Sequence, residues 1–247
     1  MLHADLAIAA RTFGLPELRR IFDGAGITHV ELEVLPWWWT TDERRRVSDQ
    51  RRTLLLDAAE VLGARTIKVA AEGGGRPVDP ARFHDDFDRL ATQAGNAGAR
   101  VALEPMPMTN LSTIQAGVDF VTAVGNRNGG LTVDTWHVHR GGTSYAELER
   151  ILPVEYLFIV ELDDADEQIV GTLWEDTVNA RRLPGEGIFD VPAFIAAIHR
   201  VGYRGHWGVE IISAEHRKLP VRDGLTRARA ASLQALDAAE RLVASAG

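Results

Sequence analysis

The stretch LTVDTWH (residues 131–137) contains the pattern that decides the fold: a short apolar run ends on a carboxylate, Asp134. Three further stretches have the same form, VALE (101–104), FIVE (158–161) and WGVE (207–210). Buried strands would not end on a carboxylate four times by chance. In a parallel α/β barrel the carboxyl ends of all strands meet at one mouth, where the active site lies. We therefore expect these carboxylates to converge.

Strands and helices alternate along the chain. The apolar patterns predict strands at residues 4–10 (a weak candidate), 28–35, 66–71, 100–104, 131–134, 156–162 and 206–211. Helices are predicted at residues 16–24, 43–62, 80–95, 113–124, 145–152, 191–201 and 226–246. Strands that alternate with helices of this length indicate βαβ units and a parallel sheet.

The length of the chain, 247 residues, is typical of one α/β domain of the (β/α)8, or TIM barrel, class. No linker or change of composition divides the chain, so we expect residues 1–247 to form a single barrel domain. A closed barrel of this class needs eight strands, and the pattern shows one fewer. An incomplete or atypical N-terminal β/α unit is therefore left open.

The composition disfavours several kinds of partner and chemistry. The formal net charge of −8 disfavours binding to nucleic-acid phosphates, which requires a basic surface. There are no cysteines, which excludes disulfides, thiolate zinc sites and cysteine nucleophiles. No apolar stretch approaches the ~18 residues of a membrane span, and the N-terminus lacks a signal-peptide pattern. We expect a cytoplasmic protein that binds neither nucleic acid nor membranes; a homodimer is left open.

Five segments of the chain resemble one known family. They are LEPMP (103–107), VDTWH (133–137), VELDDAD (160–166), RRLPGEGIFDVPAFIAAI (181–198) and GYRGHWGVEI (202–211). In this order and at this spacing they resemble the xylose isomerase-like barrel family of sugar phosphate isomerases and epimerases. The resemblance implies a TIM barrel that holds one divalent metal ion at its mouth. Mn²⁺ is expected first, with Mg²⁺, Co²⁺ and Zn²⁺ as alternatives.

The resemblance implies that the metal ligands come from four successive strand ends, which in the family supply a Glu, an Asp, a His and a Glu. Glu104, Asp134 and Glu210 match three of these positions, and Glu161 stands where the family has histidine. As a fourth carboxylate ligand, Glu161 would favour a hard cation over zinc. The alternative is that Glu161 pairs with an arginine. Relatives of the dehydroshikimate dehydratase type carry Gln at this position.

Further residues are expected to contact the substrate. The resemblance implies that His137 contacts it and that Arg181 reaches its polar end. Glu72, which precedes a run of three glycines, is expected to line the pocket. Asp163 and Asp164 are expected to cap the following turn, outside the metal site.

The reaction that this set of residues suits is enolisation. The metal would polarise the carbonyl of a keto-sugar or polyol-like substrate, while Glu104 and Glu210 remove and return the α-proton as catalytic groups on opposite faces. The first interpretation is a metal-dependent isomerase or epimerase that acts through an enediolate. The second is a dehydratase or lyase for an inosose-like or dehydroshikimate-like substrate. The presence of Glu161 in place of histidine favours this second interpretation. The third is a non-catalytic or partner-dependent barrel subunit.

Overall fold

A computed structural model describes residues 1–245 of the chain. The chain divides into two compact units. The first contains residues 1–105 and 117–132, and the second contains residues 106–116 and the chain from residue 133 onward. Within the described residues, no helix combines the length and apolar character that crossing a bilayer requires.

The first unit contains a parallel sheet. Its strands are β1 (Glu31–Leu35), β2 (Thr66–Ala70), β3 (Arg100–Glu104) and the first four residues of β4 (Gly129–Asp134). β2 pairs with β3 without interruption, so that Ala70 lies opposite Glu104. The register between β1 and β2 shifts: Leu32 pairs with Ile67, but Leu35 pairs with Val69. This β-bulge lies beside the buried charges described below.

The helices of the first unit are α1 (His3–Phe13), α2 (Leu15–Gly24), α3 (Glu43–Leu62), α4 (Pro80–Asn96) and most of α5 (Ile114–Val124). α3 begins where Asp42 accepts the backbone N–H of Arg44, and it ends at Gly63, which takes the left-handed φ of 66° that suits glycine. The strand predicted at residues 4–10 is wrong, because these residues lie within α1. Only Leu6 of α1 is buried, and alanine-rich apolar runs of this length favour helix over strand.

An aromatic cluster fills the core of the first unit. Trp38 packs against Phe83 and Phe87, with ring centroids 4.4 and 5.6 Å away, and Phe120 contacts both phenylalanines. The indole N–H of Trp38 donates to the carbonyl of Ala70 at 2.9 Å. The cluster therefore connects the carboxyl end of β2 to helices α4 and α5, which carry the phenylalanines.

The second unit continues β4 through Asp134. β5 (Leu157–Leu162) pairs in parallel with β8 (Trp207–Val209), and β6 (Asp164–Ala165) pairs in antiparallel with β7 (Arg181–Arg182). Its helices are α6 (Thr135–Arg140), α7 (Tyr145–Ile151), α8 (Leu173–Asn179), α9 (Val191–Val201) and α10 (Val221–Ser245). Two short 3-10 turns lie at Val154–Tyr156 and His216–Lys218.

The other predicted strands and helices are confirmed to within a few residues at each boundary. The predicted helix 226–246 begins earlier, at Val221, and residue 246 lies outside the described residues. The pattern missed α6, α8 and the β6–β7 pair, each of which has seven residues or fewer. Segments this short give too few periods for an apolar repeat to appear.

Candidate active site

Asp134 is the point at which strand becomes helix in the second unit. It is the last residue of β4 and the N-cap of α6, and its Oδ1 accepts the backbone N–H of His137 at 3.0 Å. An Asp at an N-cap satisfies one of the unpaired N–H groups of the first helical turn. This role fixes the carboxylate, which is fully buried, and leaves Oδ2 for other partners.

Arg181, the first residue of β7, places its guanidinium beside this carboxylate. Its Nη1 lies 2.7 Å from Asp134 Oδ2 and 3.0 Å from Glu210 Oε2, and it also contacts Asp163 Oδ2 at short range. Thr177 of α8 holds the other edge of the guanidinium: its carbonyl accepts from Nε and its hydroxyl from Nη2. Arg181 is 2 % exposed, so its charge is buried together with its carboxylate partners.

The hydrogens on Nη1 are too few for the oxygens that surround it. A guanidinium Nη carries two N–H groups, whereas carboxylate oxygens of three residues, Asp134, Asp163 and Glu210, lie within ion-pair distance. Asp163 Oδ1 is buried and has no hydrogen-bond partner among the described residues. Burial raises the pKa of Asp163 well above its ordinary value; Asp134 and Glu210 add to this shift, and Arg181 opposes it. The cluster around Arg181 therefore contains an excess of carboxyl groups over cations.

Glu161 adds to that excess. One carboxylate oxygen from each of Asp134, Glu161 and Glu210 lies within 4.8 Å of the others. Glu161 is paired in the β5–β8 register with Gly208, where a Cβ atom would lie 2.9 Å from the Glu161 side chain. Glycine at 208 therefore leaves room for the Cγ methylene of the Glu161 side chain. Glu210 is the most accessible of these carboxylates, with 20 % of its side-chain surface exposed.

The two predicted substrate residues of this unit contact each other. His137 is buried, and its Nε2 lies 3.3 Å from Nη2 of Arg181. A guanidinium only donates hydrogen bonds, so Nε2 of His137 is the acceptor in this contact. Arg181 also lies over the ring of Trp136, 5.7 Å from its centroid. The structure thus brings His137 and Arg181 together within the same buried polar cluster as Asp134.

Glu104 belongs to the first unit, where it ends β3 and is buried. Its Oε1 lies 3.7 Å from Nζ of Lys68, and the same ammonium lies 2.9 Å from Oε2 of Glu33. Lys68 is 3 % exposed. The sequence analysis missed both Lys68 and Glu33, although a lysine within a short apolar strand, TIKVA, is a signal that could have found Lys68.

Glu72 is buried in the first unit, just beyond β2. Its Oε1 accepts the backbone N–H of Gly74 at 2.6 Å, and its Oε2 lies 3.8 Å from Nη1 of Arg44. It lines a cavity of about 190 Å³, together with Trp39 and Arg44. Glu72 is therefore placed at a cavity wall, as a pocket residue would be.

Asp163 and Asp164 behave differently from each other. Asp164 caps the following chain, as expected, but it accepts hydrogen bonds from more than one turn. Its carboxylate accepts backbone N–H groups of Ala165, Gly185, Gly187 and Phe189 at 2.8–3.0 Å. The expectation that Asp163 caps a turn is wrong, because its Oδ2 contacts Arg181 and its Oδ1 accepts no backbone N–H among the described residues. Asp163 is not among the carboxylates whose oxygens converge as possible metal ligands.

A cavity of about 260 Å³ adjoins Arg181 in the second unit. Its lining includes the cationic or titratable groups Arg182, His216 and Arg227 together with the carboxylate Glu186. Its walls therefore offer both hydrogen-bond donors and acceptors. Such a lining suits a ligand with several hydroxyl groups, each of which can donate and accept a hydrogen bond.

The family of the chain follows from comparison with known proteins. Residues 4–234 match the family model described as xylose isomerase-like TIM barrel. The chain belongs to the xylose isomerase-like TIM barrel family, so the predictions of the family and of the α/β TIM barrel class are confirmed.

Its relatives differ in the reactions after which they are named. An inosose isomerase from Bacillus velezensis is 29 % identical over 134 residues, which cover 53 % of this chain and 46 % of that protein. A 3-dehydroshikimate dehydratase from Pseudomonas aeruginosa is 31 % identical over 163 residues, which cover 64 % of this chain and 25 % of that protein. The matched region thus spans less than half the length of each of these relatives.

Solved structures show the same fold. An IolI protein with a bound zinc atom superposes with a TM-score of 0.83 at 21 % identity, and covers 94 % of this chain and 84 % of that chain. A D-psicose 3-epimerase, solved in the presence of D-fructose, gives a TM-score of 0.74 at 18 % identity, with 97 % of this chain and 88 % of that chain covered.

Proposed function

We propose that the protein is a divalent-metal-dependent isomerase or epimerase of a keto-sugar or a related cyclic polyol. The observation that carries the proposal is the buried excess of carboxylates around Arg181 in the second unit. Support also comes from the names of the relatives, among them inosose isomerase and D-psicose 3-epimerase. The matched regions are partial, so the activity, the substrate and the partners of this chain are all part of the proposal.

The carboxylates of the second unit fit a divalent cation. Asp134, Glu161 and Glu210 offer converging oxygens, and hard divalent cations prefer such ligands. Arg181 supplies one positive charge to this cluster, which leaves negative charge to be neutralised. We propose these three residues and Glu104 as metal ligands, with Mn²⁺ expected first. A related IolI structure contains zinc, which supports a divalent ion without fixing its identity.

The proton transfer would be carried by two glutamates. When bound, the cation supplies Lewis-acid stabilisation of the negative charge that develops on the substrate as its α-proton leaves. Glu210 is partly exposed, so its carboxylate is accessible to a substrate. We propose that Glu210 and Glu104 remove and return the α-proton. General acid–base catalysis of this kind contributes about 10²–10⁴-fold to the rate.

The remaining predicted residues would bind the substrate. Arg181 forms one wall of the 260 Å³ cavity, where its guanidinium can donate to a substrate oxygen if it releases one carboxylate. His137 lies next to Arg181 and would contact the same part of the substrate. Glu72 lines the cavity of the first unit and would accept a hydroxyl group.

A dehydratase is the second candidate, because two specific observations favour it. The 3-dehydroshikimate dehydratase of Pseudomonas aeruginosa is among the relatives. Glu161 stands where the resemblance to the family implies histidine, and the same resemblance implies that dehydratases of the dehydroshikimate type depart from histidine there too. The two reactions share the removal of an α-proton and diverge in whether a β-hydroxyl then leaves.

Deuterium exchange tests the proposal and separates the two reactions. The protein, supplied with Mn²⁺, is incubated in D₂O with keto-hexoses, inososes and 3-dehydroshikimate, and NMR follows the α-carbon. Deuterium in recovered substrate or in an epimer supports the isomerase or epimerase, whereas loss of the β-hydroxyl identifies the dehydratase. Neither change with any substrate, from folded and metal-loaded protein, would contradict both. Glu210→Gln is the control, since it removes one proposed proton-transfer group.

A further inference from the structure

We propose that Lys68 is a positioning residue for Glu104, and that Glu33 holds its ammonium in place. The inference rests on the proposed function in one respect, the role of Glu104 in proton transfer and metal binding. The arrangement itself lies wholly within the first unit.

Strand register places Lys68 and Glu104 on one face of the sheet. Lys68 pairs with Ala102, and Ala70 pairs with Glu104, so the two charged residues are diagonal neighbours on β2 and β3. Diagonal neighbours lie about 7–8 Å apart at the backbone, within reach of long side chains. The residues directly opposite are alanines, which leave space for the lysine stem and for the carboxylate. The resulting Nζ to Oε1 distance is 3.7 Å.

A β-bulge in β1 places a second carboxylate, that of Glu33, beside Lys68. Leu32 and Leu35 of β1 pair with Ile67 and Val69 of β2, so Glu33 and Val34 together face the single residue Lys68. Bulges of this kind redirect a side chain and occur often beside active sites. Here the bulge coincides with a 2.9 Å ion pair between Glu33 Oε2 and Lys68 Nζ.

The physical consequence concerns the charge and the orientation of Glu104. A buried ammonium is costly unless carboxylates compensate it, so Glu33 stabilises the charge of Lys68 and thereby fixes the position of Nζ. From that position Lys68 attracts one oxygen of Glu104 and limits the rotation of its carboxylate. Catalytic groups must be held to within a fraction of an ångström, and a misplacement of about 1 Å can cost 10²-fold in rate.

The lysine content of the chain permits a direct test. The sequence contains two lysines, Lys68 and Lys218, and Lys218 is exposed beside Glu215. Protein with ¹³C,¹⁵N-labelled lysine therefore gives two side-chain signals, which Lys218→Arg assigns. We expect Glu104→Gln and Glu33→Gln each to shift the Lys68 signal and to leave the Lys218 signal in place. A Lys68 signal that moves with Glu33→Gln but not with Glu104→Gln would overturn the proposal, whatever substrate the enzyme uses.

Kinetics then separate positioning from a purely structural role. With a substrate found by deuterium exchange, we expect Lys68→Met to lower kcat by about 10²-fold, with KM little changed. Lys68→Arg, which keeps the charge, should recover part of the loss, and Lys218→Met should match the wild type. A folded Lys68→Met with wild-type kcat contradicts the proposal. If Lys68→Met does not fold, kcat is measured for the isosteric variant Glu33→Gln instead. An unchanged kcat in Glu33→Gln would overturn the proposal. The NMR experiment needs no substrate, so its result does not depend on the deuterium-exchange experiment. Failure of the proposed function and failure of this inference are therefore distinguishable.

Discussion

The two units bury their cations in different ways. In the first unit Lys68 lies between two carboxylates, those of Glu33 and Glu104. In the second unit Arg181 contacts carboxylates of three residues and is tied to Thr177 through its other nitrogens. A lysine is a compact point charge on a flexible stem, whereas a guanidinium is a planar group with five donors in fixed directions. The difference indicates that Lys68 orients a single functional group, while Arg181 organises a whole cluster.

The number of carboxylates that face each buried cation also differs between the two clusters. One cation faces two carboxylates in the first unit, and one cation faces at least three in the second. The cluster around Arg181 therefore has the larger excess of carboxyl groups over cations, which is why we place most of the proposed metal ligands there.

Removal of the arginine should have the largest effect. Arg181→Met leaves Asp134 and Asp163 buried without their cation, and breaking a buried pair in this way costs about 3–5 kcal/mol. Chemical denaturation should show a loss of that size in the free energy of unfolding. Arg182→Met is the matched control: this neighbour pairs with Asp166 at the surface, where an ion pair contributes about 0–1 kcal/mol. Equal losses in the two variants would contradict the organising role of Arg181.

Release of the loop after β7 should have the next largest effect. Asp164→Ala removes the acceptor of four backbone N–H groups, those of Ala165, Gly185, Gly187 and Phe189. The N–H groups of Ala165 and Phe189 are buried, and a buried donor without a partner costs about 1–3 kcal/mol, whereas the part-buried donors of Gly185 and Gly187 can turn to water. We therefore expect a fall in the free energy of unfolding that is smaller than that of Arg181→Met, and faster amide exchange at residues 185–189. The control is Asp190→Ala, an exposed N-cap that accepts one N–H, for which about 1 kcal/mol is expected. Unchanged amide exchange in Asp164→Ala would contradict the anchoring role.

Neutralisation of Glu161 should have the smallest effect on folding and a selective effect on metal binding. Glu161→Gln keeps the shape of the side chain and removes one negative charge. We expect the unfolding free energy to change little and Mg²⁺ or Mn²⁺ affinity to fall by about tenfold, or 1.4 kcal/mol, because hard cations bind more weakly as the ligand charge decreases. Calorimetric titration measures the affinity. An affinity that does not change would indicate that Glu161 is not a ligand.

Regular strands were predictable from the sequence, and the charged cluster was predictable only in part. β3 and β5 are mostly apolar, and the carboxylates at or next to their carboxyl ends, Glu104 and Glu161, were found from that pattern alone. Arg181 was found by resemblance, but its role was not, because the side chain reaches its partners through contacts that are distant in sequence. The contact between Asp163 and Arg181, which replaces the expected turn cap, was missed for the same reason.

The N-terminal helix α1 and the ion pairs of Lys68 were also not predicted from the sequence. Residues 4–10 are a short, mostly apolar run that was interpreted as a strand, although its alanines favour the helix that it forms. The β-bulge that brings Glu33 opposite Lys68 is a register shift between two strands. Such a shift depends on pairing across the sheet, which a single sequence does not encode in any local pattern.

Mn²⁺ binding tests the central claim, that the carboxylates around Arg181 hold a divalent cation. Calorimetric titration compares the wild type with Asp134→Asn, which keeps the size of the side chain and an oxygen for the N-cap. Asp190→Asn serves as the control, because Asp190 is also an N-cap but lies at the surface. We expect about one Mn²⁺ per chain in the wild type and in Asp190→Asn, and none in Asp134→Asn. Equal binding by all three proteins, or no binding by folded wild type, would contradict it.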